Sequence, residues 1–311
     1  MERTMTLTPF SVPVRGGSLA GGQWRADAAG LPLLAVHGIT ATHRSWRPVA
    51  EALDARVVAP DLRGRGRSNG LPGPYTLRDH ADDLAYLLDG LGVDRALVVG
   101  HSMGAFVTVR FAAAHPDRVA GVVLIDGGLP IPHPEGLAAD QVAQATLGPA
   151  LERLAMTFPD ADAYAGFWRR HPALGPAWND AIADYVAYDL DGEPPALRPS
   201  ANPDAVAVNV LELDGSDGYL EELLGLPGPV DFLRAQRGLL DQPEALYPPE
   251  HVDEWERRMP TLRRHEVPDV NHYTIIMTEE GAGHVVSVLA TRLAEGRVAA
   301  SVTAADKEVA P

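Results

Sequence analysis

The chain has 311 residues, 46% hydrophobic and 22% charged, an ordinary globular composition that can bury a large core. It contains no cysteine, which removes disulfides, thiolate metal sites and a cysteine nucleophile. Its 42 acidic and 26 basic residues give a net charge of −16, which opposes long-range attraction to nucleic acid and to anionic membranes. No segment approaches the ~20 apolar residues of a membrane span, and the N-terminal stretch lacks the apolar run of a signal peptide, so a cytoplasmic location is expected. Lys307, the only lysine, lies in the terminal stretch, which excludes Ser–Lys and Schiff-base chemistry from the folded body.

In chain order, residues 8–14 and 18–25 read as two short strands around Gly16-Gly17, followed by a buried strand over 31–36 that ends in His37-Gly38. A helix over 45–53 and a strand over 56–59 come next. Residues 76–91 carry apolar side chains at helical spacing, with Thr76 and Asp79 as a capping pair. A strand over 96–99, a helix over 103–114 and a strand over 119–125 complete a βαβα rhythm, which predicts a mostly parallel sheet covered by helices on both faces. The proline-dense stretch 130–134 breaks this rhythm. From there to residue 225 the chain reads as a helical, aromatic-rich insertion, a cap of residues 131–225 between core segments 1–130 and 226–298. The core pattern resumes with strands over 230–233 and 264–267, a helix over 249–258 and a last helix over 281–293. Residues 299–311 lack apolar periodicity and are expected to be disordered.

The strongest local signal is Gly100-His101-Ser102-Met103-Gly104, a G-x-S-x-G motif set between an apolar strand and an apolar helix. A strand that turns this sharply forces the central residue into a strained backbone, and bulk two positions away on either side would clash. The turn lifts Ser102 above the sheet edge at a helix N-terminus, where developing negative charge is favoured.

With this motif, His37-Gly38-Ile39-Thr40 and Asp61-Leu62-Arg63-Gly64-Arg65-Gly66-Arg67-Ser68, the chain resembles the α/β-hydrolase superfamily over roughly residues 8–295. The resemblance implies an eight-stranded, mostly parallel sheet with a helical cap. It also implies Ser102 as nucleophile and an oxyanion hole formed by the backbone N–H groups of Ile39 and Met103, each such donor being worth about 3 kcal/mol in the transition state. The Asp61–Ser68 segment looks architectural, and without a P-loop lysine its glycines and arginines do not make a phosphate site.

The triad order on this fold is serine, acid, histidine, which places the base late in the chain. His272 lies in a short turn between the last strand and the last helix, at the sheet edge that carries Ser102. Among the 11 histidines, His284, His265, His251 and His115 sit in helices, strands or a helix end, His101 packs beneath the elbow, and His37 holds the oxyanion loop. The acid has two candidates. Asp241 follows Gly238-Leu239-Leu240 near the usual family position and is favoured; Asp126 ends the sixth strand, 24 residues after Ser102, where haloalkane dehalogenases and certain lactonases of the family carry theirs.

These residues predict hydrolysis of a carboxylic ester or lactone of a bulky, mainly apolar small molecule through an acyl-enzyme, with no cofactor and no metal. Serine at the elbow argues against dehalogenase or epoxide-hydrolase chemistry, where an aspartate holds that place. Trp46, Trp168, Trp178 and Tyr188 are the candidate substrate-binding residues. Three other readings stay open: a thioesterase acting on polyketide or acyl thioesters, a C–C bond hydrolase, and a ligand receptor with little turnover. The expected partner is the small-molecule substrate, without nucleic acid or membrane, and a homodimer is possible.

Overall fold

The first half of the chain alternates strands and helices, and its apolar residues fill both faces of the central strands. The computed structural model describes residues 6–132 and 136–308. β1 (Leu7–Val14) and β2 (Gly17–Trp24) form an antiparallel hairpin. There follow β3 (Leu33–Val36), α1 (Arg47–Ala52), β4 (Val57–Pro60), α2 (Leu77–Gly90), β5 (Ala96–His101), α3 (Met103–Ala114) and β6 (Val119–Ile125). The Thr76–Asp79 capping box forms as the sequence predicts, with side chain and backbone exchanged at both residues.

Between β6 and β9 the chain runs through six helices and one short pair of strands. These are α4 (Ala139–Leu147), α5 (Pro149–Leu154), α6 (Ala161–Arg169), α7 (Asp180–Tyr188), β7 (Leu190–Asp191), β8 (Arg198–Pro199), α8 (Pro203–Leu211) and α9 (Tyr219–Leu224). β9 (Val230–Arg237), α10 (Pro249–Arg258), β10 (Leu262–Asn271), α11 (Thr274–Met277) and α12 (Glu279–Glu308) follow. Part of the proline-dense stretch, residues 133–134, lies outside the described residues, as do 309–311 at the C-terminus.

The eight strands stand in the order β1-β2-β4-β3-β5-β6-β9-β10. Pairing is parallel from β4 to β10, while β2 is antiparallel to both its neighbours. The central strands are buried throughout, and alternate side chains feed two separate cores. Leu34, Val36, Val98, Val122 and Leu124 pack with α2 and α3 on one face; Leu33, Ala35, Val99, Val123 and Ile125 pack with α1, α11 and α12 on the other. At about 1.5–3 kcal/mol for each large apolar side chain removed from water, these two layers dominate the stability of the sheet. The cap joins both layers: Val206, Val210, Tyr219 and Leu223 extend the first, and Tyr164, Trp168, Ile182 and Tyr185 the second.

Two elements run longer than the sequence reading. β9 continues past Leu233 to Arg237, because the charged side chain of Arg234 is buried there, bonded to the Tyr247 carbonyl and to Glu266. α12 continues past Leu293 to Glu308, through a stretch read as disordered. Its alanines are strong helix formers, and no glycine or proline interrupts residues 297–308.

Candidate active site

Parallel strands deliver their C-terminal ends to one edge of the sheet, and the turns beyond β3, β5, β6, β9 and β10 hold every residue singled out for chemistry. Ser102 follows β5 with φ 56° and ψ −127°, a conformation that costs a side-chain-bearing residue about 1–3 kcal/mol. The chain accepts this strain because glycines let it close up. A Cβ on Gly100 would sit 2.2 Å from the Gly104 carbonyl oxygen, and one on Gly104 would sit 2.1 Å from that of Val36. Ser102 N–H donates to the Ile125 carbonyl at 2.9 Å, which ties the elbow to β6. The residue is partly exposed and caps the N-terminus of α3, with Met103 as the first helical residue.

His272 is buried in the turn between β10 and α11. Asn271 shapes this turn: its side-chain oxygen accepts from the N–H groups of Tyr273 and Thr274, both at 3.0 Å, and its amide nitrogen donates to the Ala173 carbonyl in the cap. The His272 carbonyl accepts from His101 Nε2 at 2.7 Å, and the two rings lie 4.7 Å apart, centroid to centroid. His101, next to Ser102, is therefore the strut between elbow and histidine turn. Burial first, and then its neighbour His272, push the pKa of His101 well down, so it stays neutral with Nε2 as the donor.

The acid is where the structure departs from the favoured reading. His272 Nδ1 lies 2.7 Å from Asp126 Oδ2, whereas Asp241 is turned to other partners. Asp126 is fully buried, and its second oxygen accepts from Ala235 N–H on β9 at 3.1 Å. Its turn is closed by Gly127, where a Cβ would sit 2.1 Å from the Ser102 carbonyl oxygen. Tyr219 and Tyr247 donate to the carbonyls of Gly128 and Leu129 at 2.6 and 2.8 Å, which fixes the turn from above. Asp241 instead takes both Nε and Nη2 of Arg237 and accepts from Asn271 Nδ2 at 3.1 Å. The physical reason is the extra length of β9: it carries Arg237 to the turn, and Arg237 claims the aspartate four residues on.

The His272–Asp126 bond also sets the tautomer. With Nδ1–H donated to the carboxylate, Nε2 keeps the lone pair needed to accept a proton.

The oxyanion loop is held from below. His37 Nε2 accepts from Leu62 N–H at 2.9 Å, so its Nδ1 carries the proton and donates to the Gly38 carbonyl at 2.8 Å. Burial lowers the His37 pKa to about 4, consistent with this neutral form. The Ile39 carbonyl accepts from Arg65 Nε at 2.9 Å, which orients the neighbouring peptides. Arg65 is fully buried, and burial lowers its pKa to about 9. Gly38 lies against the Ser102 side chain, since a Cβ there would lie 3.1 Å from Ser102 Cβ and 3.5 Å from its Oγ.

Asp61 is structural, as its segment suggests. Its buried carboxylate accepts from His43 N–H and Nδ1, from Arg67 N–H, and from the Tyr188 hydroxyl at 2.7 Å. Burial opposes its charge, but His43, His37 and Tyr188 together hold its pKa at about 2. Tyr188 is thus a bolt from cap to core and not a pocket residue; Arg44 and Arg67 flank its ring at 5.0 and 4.6 Å. Trp46 is likewise displaced from the expected role, lying fully buried in the core beside Val49 and Trp24. Trp178 packs outside the site with Arg169 over its ring at 4.8 Å. Trp168 lines a cavity of about 260 Å³ together with Thr40 and Tyr273, the chain neighbours of Ile39 and His272. Larger surface grooves exist, one of about 540 Å³ lined by Leu154, Pro199 and Asn202, which touches neither Thr40 nor Tyr273.

Sequence reasoning passed over Arg153 and His171, and met Arg65 only as part of the Asp61–Ser68 segment. Arginine is rarely buried, so nothing in composition or spacing marked Arg153. Among the described residues no group of three or more His, Asp or Glu side chains is placed to hold a metal ion, and no helix is long and apolar enough to cross a membrane.

The α/β hydrolase fold family profile matches residues 32–154. The chain is 43% identical over 95 residues to lipase LipV of Mycobacterium tuberculosis and 38% identical over 132 residues to a putative carbamate hydrolase RutD of Caulobacter vibrioides. These matches take in 30% and 41% of this chain and 36% and 46% of the relatives, so less than half the length of each curated relative is spanned. The structure of E-2-(acetamidomethylene)succinate hydrolase superposes with a TM-score of 0.75 and 26% identity, covering 93% of this chain and 99% of that one. Fold, elbow and strand order agree: the chain is a member of the α/β-hydrolase fold superfamily.

Proposed function

We propose that the protein is a serine hydrolase that cleaves a carboxylic ester or lactone through an acyl-enzyme, with Ser102 as nucleophile, His272 as general base and Asp126 as the acid. The observation that carries this reading is the 2.7 Å His272 Nδ1–Asp126 Oδ2 bond, set beside a strained serine elbow. Ser102 attacks the carbonyl carbon while His272 Nε2 takes its proton. The Ile39 and Met103 N–H groups stabilise the oxyanion, and Asp126 stabilises the imidazolium. Collapse expels the leaving alcohol with that proton. Water, deprotonated by the same histidine, then releases the acid.

The names of the relatives agree on hydrolysis and differ on the bond: a lipase, a carbamate hydrolase and a succinate-derivative hydrolase. A cavity of about 260 Å³ adjoins Thr40 and Tyr273, the chain neighbours of Ile39 and His272, and offers room for part of the substrate. Ser102→Ala should abolish turnover of short p-nitrophenyl esters and leave the melting temperature close to wild type. A serine-directed phosphonate should label Ser102 alone by mass spectrometry. Retained turnover in Ser102→Ala, or labelling elsewhere, would overturn the assignment.

A further inference from the structure

Arg153 in α5 is only 2% exposed and lines the cavity beside the active site, together with Thr40, Trp168, His171 and Tyr273. One edge of its guanidinium is committed. Nη1 donates to the Tyr164 hydroxyl at 2.7 Å and to Asp189 Oδ2 at 2.9 Å, and Tyr164 in turn donates to Asp189 at 2.5 Å. The Ser200 hydroxyl donates to Asp189 Oδ1 at 2.8 Å, so both oxygens of this aspartate are satisfied. The other edge, Nε and Nη2, is buried with no hydrogen-bond partner among the described residues.

That edge is the one arginine uses to grip a carboxylate with two parallel bonds. The same chain shows the fit elsewhere: Arg63 holds Asp83 through Nε at 2.9 Å and Nη2 at 2.7 Å. Burial disfavours the charge on Arg153, but Tyr164 and Asp189 outweigh it, so the group stays protonated. A protonated, buried guanidinium with two idle donor atoms is costly, because they give up water without gaining a partner. The surroundings suit an anion rather than a second cation. His171 is held neutral, its pKa lowered to about 4 by burial and then by Arg153. The Trp168 ring lies 4.9 Å from the guanidinium carbon.

We propose that Arg153 anchors the substrate, and that the substrate of this hydrolase carries a carboxylate. The Nε–Nη2 edge takes the two carboxylate oxygens, and the rest of the substrate runs past Thr40 and Tyr273 toward Ser102. This rests on the serine-hydrolase reading for the identity of the site, but the binding step is separable from turnover.

The test is titration calorimetry on Ser102→Ala protein with acetate, succinate and glutarate, each against its amide. At least one carboxylate should bind ten-fold or more tighter than its amide. Ser102→Ala/Arg153→Lys, which keeps a cation for Asp189 but lacks the two-donor edge, should lose that selectivity. Should this variant fold poorly, Arg153→Gln with Asp189→Asn removes the buried pair together and should give the same loss. No preference for carboxylates, or a preference that survives these substitutions, overturns the proposal. Turnover of p-nitrophenyl acetate by the wild-type chain reports on Ser102 alone: its absence would count against the hydrolase reading and leave the binding result standing.

Discussion

Asp126 and Asp241 occupy matching places, each in a turn beyond a parallel strand at the same sheet edge, and each has a positive φ, 43° and 64°. Their surroundings are opposite. Asp126 has no exposure, spends one oxygen on a backbone N–H of β9 and offers the other to His272. Asp241 keeps 35% of its side chain in solvent and is held by Arg237, itself 40% exposed. A carboxylate can orient and stabilise an imidazolium strongly only where water does not compete and no guanidinium has already neutralised it. The contrast teaches that the acid is chosen by depth and by its neighbours, not by distance along the chain from a glycine.

Substitution separates the two turns most sharply. Asp126→Asn should lower kcat/KM by about 10⁴, the scale seen when a triad acid is neutralised with its geometry kept. Asp241→Asn should cost less than about ten-fold, through the Asn271 turn it supports. Comparable losses in steady-state assays of a p-nitrophenyl ester would erase the distinction drawn here.

The glycines beside the two aspartates give a second contrast. Gly127→Ala drives a Cβ into the Ser102 carbonyl and should abolish activity with a clear fall in melting temperature. Gly238→Ala meets the Gln242 side chain and the Glu244 carbonyl, away from the nucleophile, so it should lower the melting temperature while activity per folded molecule persists.

Acid should strike the buried side of the site first. His37, His80 and His171 have pKa values lowered by burial to about 4, 3 and 4, so the unfolded chain takes up their protons before the folded one does. Their stabilising contribution is complete above their unfolded value of about 6.5 and is lost as pH falls toward 4, by at most about 1.4 kcal/mol per pH unit per group. The bridge to Arg237 lowers the pKa of Asp241, so that contribution is intact throughout this window. Melting temperatures measured from pH 7 to pH 4 should therefore fall, and Asp241→Asn should fall in parallel with wild type. A flat profile would contradict the neutral, buried histidines.

Arg237→Gln is the mildest case. The bridge to Asp241 is solvent-screened, so its loss should leave the urea unfolding midpoint close to that of wild type. A clearly lower midpoint would mean that the second turn carries more of the site than its exposure suggests.

The core of the fold was legible because its apolar runs have no competing explanation. α3 over Met103–Ala114 and β6 over Val119–Ile125 fall where the sequence places them, since each is bounded by glycine, proline or charge and is filled by one kind of side chain. Ser102 was legible for the same reason: Gly100 and Gly104 have no space for a side chain. The reading failed where a polar side chain was buried by tertiary contact. Arg234 disguised the continuation of β9, which hid that the strand carries Arg237 to the turn of Asp241. Tyr188 and Trp46 looked like pocket residues because aromatic content alone does not separate a core side chain from a ligand-facing one. Arg153 left no sequence signal and Arg65 only its place in the Asp61–Ser68 segment, since their partners lie far away along the chain.

The pairing at the centre of this account can be observed without knowing the substrate. A histidine Nδ1–H donated to a buried carboxylate gives a far-downfield proton resonance, assignable to His272 by its loss in His272→Gln. The resonance should be present in wild type and in Asp241→Asn, and absent or strongly shifted upfield in Asp126→Asn. Its survival in Asp126→Asn with loss in Asp241→Asn would contradict the assignment and restore Asp241 as the acid.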